Sequence, residues 1–163
     1  MNRAVRESCP LFRGGGFPVR IVHQTGPSDF DEIHGAFEKS GLYGEVVPFI
    51  RDMPSAFAAA DLVICRSGAG TVSELAAAGK PSILVPFPFA ADDHQTKNAE
   101  AMERASAARV VRDAELSGAK LFATVREVAH SLVFMGENAR RLAKPGAARR
   151  AAEILEEEAR ARS

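Results

Sequence analysis

The stretch that decides the fold is Leu62-Val-Ile-Cys-Arg-Ser-Gly-Ala-Gly-Thr-Val-Ser-Glu-Leu-Ala-Ala-Ala-Gly-Lys-Pro81. Its first four residues are apolar, which is typical of a strand buried on both faces. Small residues follow, and the pattern then predicts a helix from about Thr71 to Ala78, which Gly79 ends. A second apolar run, Ser82 to Phe87, completes a strand–loop–helix–strand unit. Such a unit predicts a parallel α/β sheet with a right-handed crossover.

The loop inside this unit has the chemistry of an anion site. Gly68, Ala69 and Gly70 leave backbone N–H groups uncovered, and the helix dipole adds partial positive charge at the same place. Arg66 adds a forked set of donors that suits phosphate. A tight turn beside a solvated arginine explains the same residues, because glycine loops are common in α/β chains. From the loop alone, the two interpretations stand about equal.

Glu74 also has two interpretations. Thr71-Val-Ser-Glu74 fits a capping box, in which the carboxylate folds back onto the first backbone N–H of the helix. Alternatively, the carboxylate accepts hydrogen bonds from a ribose diol, as acidic residues do in nucleotide-binding folds. The spacing alone does not separate these alternatives.

Composition excludes several classes of protein. The chain has 163 residues, the length of one domain with a real core, and 46% of them are hydrophobic. The formal net charge is zero, so there is no electrostatic case for nucleic acid or an anionic membrane as a partner. Two cysteines are too few for a disulfide framework and favour a reducing cytosol. The longest apolar run is too short to span a bilayer.

Strand-like and helix-like segments alternate along the rest of the chain, which predicts one Rossmann-like parallel sheet with helices on both faces. The predicted strands are Val19–His23, Val46–Phe49, Leu62–Cys65, Ser82–Val85 and Arg109–Val111. Further helices are predicted over Asn2–Phe12, from Ser28 or Asp29 to Lys39, and over Met53–Ala60 behind an Asp52 cap. Terminal helices are predicted over 116–134, opened by Ser117 or nearby polar residues, and over 138–144 and 147–162. An α/β domain that begins in a helix lacks a preceding strand, so we expect an N-terminally truncated domain with an unpaired sheet position.

A second polar group follows the strand that ends near Val85. His94, Gln95 and Asn98 fall on the first turns of one helix, where amide side chains are well placed to bind sugar hydroxyls. Residue type alone favours the simpler interpretation, a polar first turn that faces water. Either Asp92 or Asp93, just before it, is expected to cap this helix, and the pair is not expected to bind a metal. No cofactor or metal site is predicted.

Four motifs occur in order along the chain, and together they resemble a known family. They are His23-Gln-Thr-Gly26, Phe49-Ile-Arg-Asp-Met53, Cys65-Arg-Ser-Gly-Ala-Gly-Thr-Val-Ser-Glu74 and the segment from Pro86-Phe-Pro to His94-Gln-Thr-Lys-Asn98. The chain is similar over nearly its whole length to the C-terminal half of the bacterial MurG glycosyltransferases. These enzymes add N-acetylglucosamine (GlcNAc) to undecaprenyl-pyrophosphoryl-muramyl-pentapeptide.

The resemblance implies a single C-terminal domain of a two-domain, inverting GT-B transferase, with UDP-GlcNAc as the donor. Glu74 would then hold the ribose diol, the Ile50 backbone would read the uracil, and Gly68 to Thr71 would face the diphosphate and sugar. His94, Gln95 and Asn98 would bind the GlcNAc hydroxyls, while Arg66 shapes the loop. The full set of donor-binding residues implied is Ile50, Arg66, Ser67, Gly68, Ala69, Gly70, Thr71, Glu74, His94, Gln95 and Asn98.

Departures from the family are as informative as the matches. The family's C-terminal domain opens with a strand and a glycine-rich loop that grips the diphosphate, and this chain starts after them. The N-terminal domain, with the acceptor site, proposed general base and membrane-facing patch, is also absent, so no catalytic residue is assigned. We therefore expect Met1 to be a fragment boundary or a misassigned start. The complete enzyme would sit peripherally on the inner face of the plasma membrane and bind the lipid-linked muramyl-pentapeptide.

Two alternatives follow from the same departures. In one, the chain is the soluble subunit of a two-part transferase and borrows an N-terminal-domain partner chain, as in the eukaryotic enzyme that extends the dolichol-linked oligosaccharide. In the other, it is a nucleotide-sugar-binding module without catalysis. Motifs of the peptidoglycan type favour the bacterial transferase.

Overall fold

The computed structural model describes residues 1–146 and Glu153, and its strands form two parallel sheets. In the first sheet, β1 (Arg20–Gln24) pairs with β2 (Tyr43–Val47). The second sheet has the order β3-β4-β5, with strands Val63–Cys65, Ser82–Leu84 and Ala108–Val110. Every pairing is parallel, as the sequence pattern predicts.

The single sheet predicted from the sequence is divided in the structure. β1 pairs only with β2, and β3 pairs only with β4, so each leaves one edge without a strand partner among the described residues. Ile21 of β1 and Ile64 of β3 nevertheless pack against the same hydrophobic cluster. Apolar contacts rather than backbone hydrogen bonds therefore hold the two sheets together, and the free edges are where a further strand would pair.

Seven helices surround these strands in the described part of the chain. They are α1 (Asn2–Gly14), α2 (Phe30–Ser40), α3 (Met53–Ala59), α4 (Ala69–Ala78), α5 (His94–Arg104), α6 (Gly118–Val128) and α7 (Leu132–Arg141), with 3-10 turns at Ala91–Asp93 and Asp113–Glu115. Asp52 accepts a hydrogen bond from Ser55 N–H and Ser117 accepts one from Lys120 N–H, which confirms both predicted caps. Within residues 1–146, no helix is both long and apolar enough to cross a bilayer.

The helical C-terminal part differs from the sequence prediction. The segment predicted over 116–134 ends at Val128, and α7 runs through the expected gap between 134 and 138. Packing explains the course of α7, because a Cβ on Gly136 would lie 2.8 Å from the carbonyl oxygen of Gly79. Only glycine permits that approach. The helix predicted over 147–162 lies outside the described residues, apart from Glu153.

Helices cover both faces of the second sheet, as predicted. Ile83 and Val85 point into a cluster that also holds Phe12 of α1 and Leu121 of α6. Leu84 points to the other face, into a cluster with side chains of α4, α5 and α7. This alternation buries β4 completely. Because β3 and β4 are parallel, their C-terminal ends lie at the same edge of the sheet, next to the loop before α4.

Ser82 provides a test of the core. Its side chain is fully buried in β4, and its hydroxyl has no hydrogen-bond partner in the described part of the chain. Because an unsatisfied buried hydroxyl carries a desolvation penalty, Ser82→Ala is expected to leave the free energy of unfolding unchanged or to raise it by up to about 1 kcal/mol. Urea denaturation measures this free energy.

Ser8→Ala is the matched control. The buried Ser8 hydroxyl donates to Val5 O at 2.8 Å, so its removal is expected to lower the free energy of unfolding by about 1 kcal/mol. An equal loss in both variants would contradict the prediction.

Candidate functional site

The N-terminus of α4 presents free backbone donors at the end of β3. The helix begins at Ala69, two residues earlier than predicted, and Gly68 is its N-cap residue without a side-chain cap. Val72 N–H makes the first intrahelical hydrogen bond, to Gly68 O at 3.0 Å. The N–H groups of Ala69, Gly70 and Thr71 precede it and have no partner within the helix. They form a cradle of donors with the positive end of the helix dipole behind it.

The glycines of this loop are not required by the turn. Gly68 has φ −61° and ψ 152°, which any residue adopts, and Gly70 lies in the first helical turn. A Cβ on Gly68 would lie no closer than 3.8 Å to another atom, and a Cβ on Gly70 would meet nothing within 4 Å. The tight-turn interpretation therefore explains neither glycine. What the glycines do provide is open space against the backbone, which a ligand that approaches closely needs.

Glu74 does not form a capping box. Because the N-cap is Gly68, the box would require an acidic residue at position 71, which is occupied by Thr71. The Glu74 side chain is exposed, and no hydrogen bond or ion pair is formed by its carboxylate in residues 1–146 or with Glu153. Burial, and then the charge of Glu74, raise the pKa of the Cys65 thiol to about 12. The carboxylate thus lies near the end of β3 with its acceptor oxygens unused.

Arg66 is not simply solvated. Its Nη1 donates to Val85 O at 3.2 Å and to Pro86 O at 3.1 Å, and it forms an ion pair with Asp113 Oδ1 at 2.6 Å. The guanidinium carbon also lies 5.5 Å from the centre of the Phe87 ring. Nε and Nη2 have no hydrogen-bond partner among the described residues. One side of the guanidinium therefore shapes the loops, and the other side stays available for an anion.

Gln95 and Asn98 are tied to the loop before α4, so the water-facing interpretation is wrong for both. The fully buried Ser67 donates its hydroxyl to Gln95 O at 2.8 Å, and Asn98 Nδ2 donates to Ser67 O at 3.0 Å. Gln95 Oε1 accepts from Phe87 N–H at 3.0 Å. Each carboxamide uses one end to fix the loops. The other ends, Nε2 of Gln95 and Oδ1 of Asn98, have no partner in the part of the chain described.

His94 is exposed at the start of α5. Its Nδ1 donates to Ala91 O at 2.6 Å, because a carbonyl only accepts, and Nε2 of the neutral ring is then an acceptor. Asp92 and Asp93 precede it with φ values of 49° and 53°, in the left-handed region. The expectation that one of them caps α5 is wrong, since no side-chain cap bond forms. No cluster of three or more metal-ligating side chains occurs among residues 1–146 and Glu153.

Ile50 stands apart from this group. It follows β2 in the other sheet, and its N–H donates to Gln24 Oε1 at 2.8 Å. No hydrogen bond of the described residues joins it to the loop before α4. Gln24 and Asp113 are residues of the site that sequence reasoning missed. The available signal was their place just at or after the C-terminal ends of strands, where α/β proteins collect their ligand-binding groups.

Known structures share this architecture. The crystal structure of Acinetobacter baumannii MurG superposes with a TM-score of 0.85 and 32% sequence identity, over 94% of this chain and 46% of that one. The glycosyltransferase of kitacinnamycin gives a TM-score of 0.66 and 25% identity, over 93% of this chain and 38% of that one. The predicted fold class, that of a GT-B C-terminal domain, is confirmed.

Curated relatives carry one enzyme name. A UDP-N-acetylglucosamine–N-acetylmuramyl-(pentapeptide) pyrophosphoryl-undecaprenol N-acetylglucosamine transferase of Solibacter usitatus is 70% identical over 160 residues, which is 98% of this chain and 44% of the relative. A transferase of the same name from Methylococcus capsulatus is 46% identical over 98% of this chain and 45% of the relative. The chain thus spans less than half the length of these relatives.

A family model matches most of the chain. The model describes the glycosyltransferase family 28 C-terminal domain, and it matches residues 1–156. This range includes every residue of the candidate site. The resemblance seen in the motifs is therefore confirmed at the level of the family, and the chain belongs to the glycosyltransferase family 28 C-terminal domains.

Proposed function

We propose that this chain binds the donor in an inverting transferase that moves GlcNAc from UDP-GlcNAc to lipid-linked muramyl-pentapeptide. The enzyme name of its relatives supports this reaction, and the activity belongs to a protein more than twice as long as the part they share with this chain. The observation that carries the proposal is the exposed carboxylate of Glu74, which has no partner among the described residues and lies near the open N-terminus of α4.

The charged part of the donor fits the loop before α4. The free N–H groups of Ala69, Gly70 and Thr71 would donate to diphosphate oxygens, and the open side of the Arg66 guanidinium would add charge. Glu74 would accept hydrogen bonds from both hydroxyls of the ribose. A carboxylate suits this role because a diol offers two donors and an ionised carboxylate has acceptor sites for both.

The sugar and the base would meet residues outside this loop. His94 Nε2, Gln95 Nε2 and Asn98 Oδ1 supply two acceptors and one donor for the hydroxyl and acetamido groups of GlcNAc. Ile50 would read uracil through its backbone, but its N–H is bound to Gln24. Uracil can use this N–H only when the Gln24 carboxamide moves aside, whereas the Ile50 carbonyl has no partner among the described residues.

The remaining functions are assigned to the rest of the longer protein. Deprotonation of the acceptor hydroxyl and binding of the lipid-linked acceptor belong, in this proposal, to an N-terminal domain or partner chain. That complete enzyme would act peripherally on the inner face of the plasma membrane, where a lipid-linked acceptor is accessible. The donor-binding part needs neither a metal nor a cofactor in this scheme, because backbone N–H groups and Arg66 meet the diphosphate.

Gly68→Ala tests the proposal at the loop. The added methyl group would occupy the space that the ligand needs, so we expect UDP affinity to fall by about tenfold. Loss of glycine at the N-cap should change the free energy of unfolding by no more than about 1 kcal/mol. NMR titration of the chain with UDP, UDP-GlcNAc and ADP measures the affinities, and denaturation measures stability.

Selectivity is the second part of this experiment. The wild-type chain should bind UDP and UDP-GlcNAc, weakly, and in preference to ADP. Absence of uridine-nucleotide binding, both by the chain alone and after addition of an N-terminal domain, would overturn the proposal. If Gly68→Ala binds UDP as tightly as the wild type does, the proposal that the diphosphate binds at this loop is wrong.

A further inference from the structure

One guanidinium group joins the ends of all three strands of the second sheet. Arg66 directly follows β3, its acceptors Val85 and Pro86 follow β4, and Asp113 begins the 3-10 turn that follows β5. All three contacts are made by the same nitrogen, Nη1. The two hydrogens of this nitrogen go to the two carbonyls, and Asp113 is its only charged partner among the described residues. The carboxylate therefore adds Coulombic attraction to two hydrogen bonds with neutral acceptors.

The loops held by Arg66 are also joined at a second point. Phe87 follows Pro86 and donates its N–H to the Gln95 side chain, while the Gln95 carbonyl accepts from the Ser67 hydroxyl. Ser67 is the next residue after Arg66, so these contacts close a ring of hydrogen bonds. The ring connects the loop before α4 with the segment after β4. Among the described residues, the Asp113 side chain contacts this ring only through Arg66.

The ion pair of Arg66 with Asp113 is less exposed to solvent than an ordinary surface pair, so its electrostatic attraction is stronger. The side chains of Arg66 and Asp113 are 33% and 35% exposed, whereas those of Arg109 and Glu127, a second pair in the same half of the protein, are 49% and 54% exposed. Solvent screens the more enclosed pair less. Loss of the Asp113 charge would leave Arg66 with two neutral acceptors, so the guanidinium would hold the ends of the three strands less firmly.

We infer that Asp113 is a positioning residue, which holds Arg66 so that the Ser67–Thr71 loop and the Pro86–Phe89 segment keep the arrangement that binds the diphosphate. The inference rests on the proposed function, because it takes the nucleotide diphosphate as the ligand of this loop. Asp113 itself does not touch the ligand. Its effect passes through Arg66 and the ring of hydrogen bonds behind the loop.

Asp113→Asn tests this inference by NMR on the whole chain, with UDP as the probe. The substitution keeps the shape of the side chain and removes its charge. We expect shifts of the backbone amide signals of Ser67, Gly68 and Phe87, and a five- to tenfold weaker affinity for UDP. Asp113→Glu keeps the charge and should recover part of the affinity. In the background of Arg66→Lys, Asp113→Asn should have a smaller effect than in the wild type, because the two residues act together.

Glu127→Gln is the matched control, since it breaks the other, more exposed ion pair. It should leave the loop signals and the UDP affinity unchanged. Wild-type loop signals and UDP affinity in Asp113→Asn would overturn the inference, and so would signal changes of equal size throughout the chain. If wild type fails to bind UDP while Asp113→Asn still shifts the loop amides, the positioning stands and the proposed function fails.

Discussion

Glu74→Gln is expected to weaken binding of UDP and UDP-GlcNAc by about 10- to 150-fold, which corresponds to about 1.5–3 kcal/mol. An ionised carboxylate makes charge-assisted hydrogen bonds to both ribose hydroxyls, whereas the amide of glutamine offers a single neutral acceptor. Because the carboxylate has no hydrogen bond or ion pair with the described residues, none of these has to break when the ribose binds. The capping role that would have explained Glu74 without a ligand is excluded by the start of α4 at Ala69.

Calorimetry on a complete or reconstituted enzyme measures this effect. Glu100→Gln is the control, because Glu100 is an exposed glutamate of α5 whose nearest cation is Arg104, at 3.6 Å. It should bind UDP as the wild type does. A second ligand sharpens the test: wild type should distinguish UDP from 2′-deoxy-UDP, and Glu74→Gln should distinguish them less. Equal UDP affinity in wild type and Glu74→Gln would show that Glu74 does not bind the ribose.

The second large effect is a complete absence of transferase turnover by this chain alone. Glycosyl transfer needs the acceptor oxygen, a general base and the leaving diphosphate held in register, and positioning of the reactants supplies much of the rate. The groups that the structure gathers around the loop before α4 are suited to the donor alone. His23 Nε2 donates to Asn2 Oδ1 at 3.1 Å, a contact that joins β1 to the start of α1 and gives this histidine a structural role.

An assay with UDP-GlcNAc and a lipid-linked muramyl acceptor checks this expectation, first with the purified chain and then with an added N-terminal domain. Turnover by the chain alone would contradict the prediction. Activity that appears only on addition would support a two-part enzyme. If neither mixture is active while UDP still binds, the chain is a nucleotide-sugar-binding module.

Local features of the fold could be predicted from the sequence because each depends on a few neighbouring residues. Gly79 takes the left-handed conformation, with φ 61°, that ends α4, and Asp52 and Ser117 cap their helices through hydrogen bonds to residues three positions ahead. Apolar runs likewise place all five strands to within a few residues. The motif from Cys65 to Glu74 is specific enough to indicate the family, which the comparisons confirm.

The arrangement of the site depended on contacts between residues far apart in the chain. Ser67 meets Gln95 and Asn98 across 28 and 31 positions, and Gln24 meets Ile50 across 26. No local pattern encodes such pairs, because the packing of helices around β4 decides which loops become neighbours. The same holds for the ion pair of Arg66 with Asp113, and for α7, whose course depends on the close approach of Gly136 to Gly79. By itself, the sequence predicted most of the groups of the candidate site, but it did not point to Gln24 or Asp113. Tertiary packing decided which of their atoms are used to hold the loops and which stay free for a ligand.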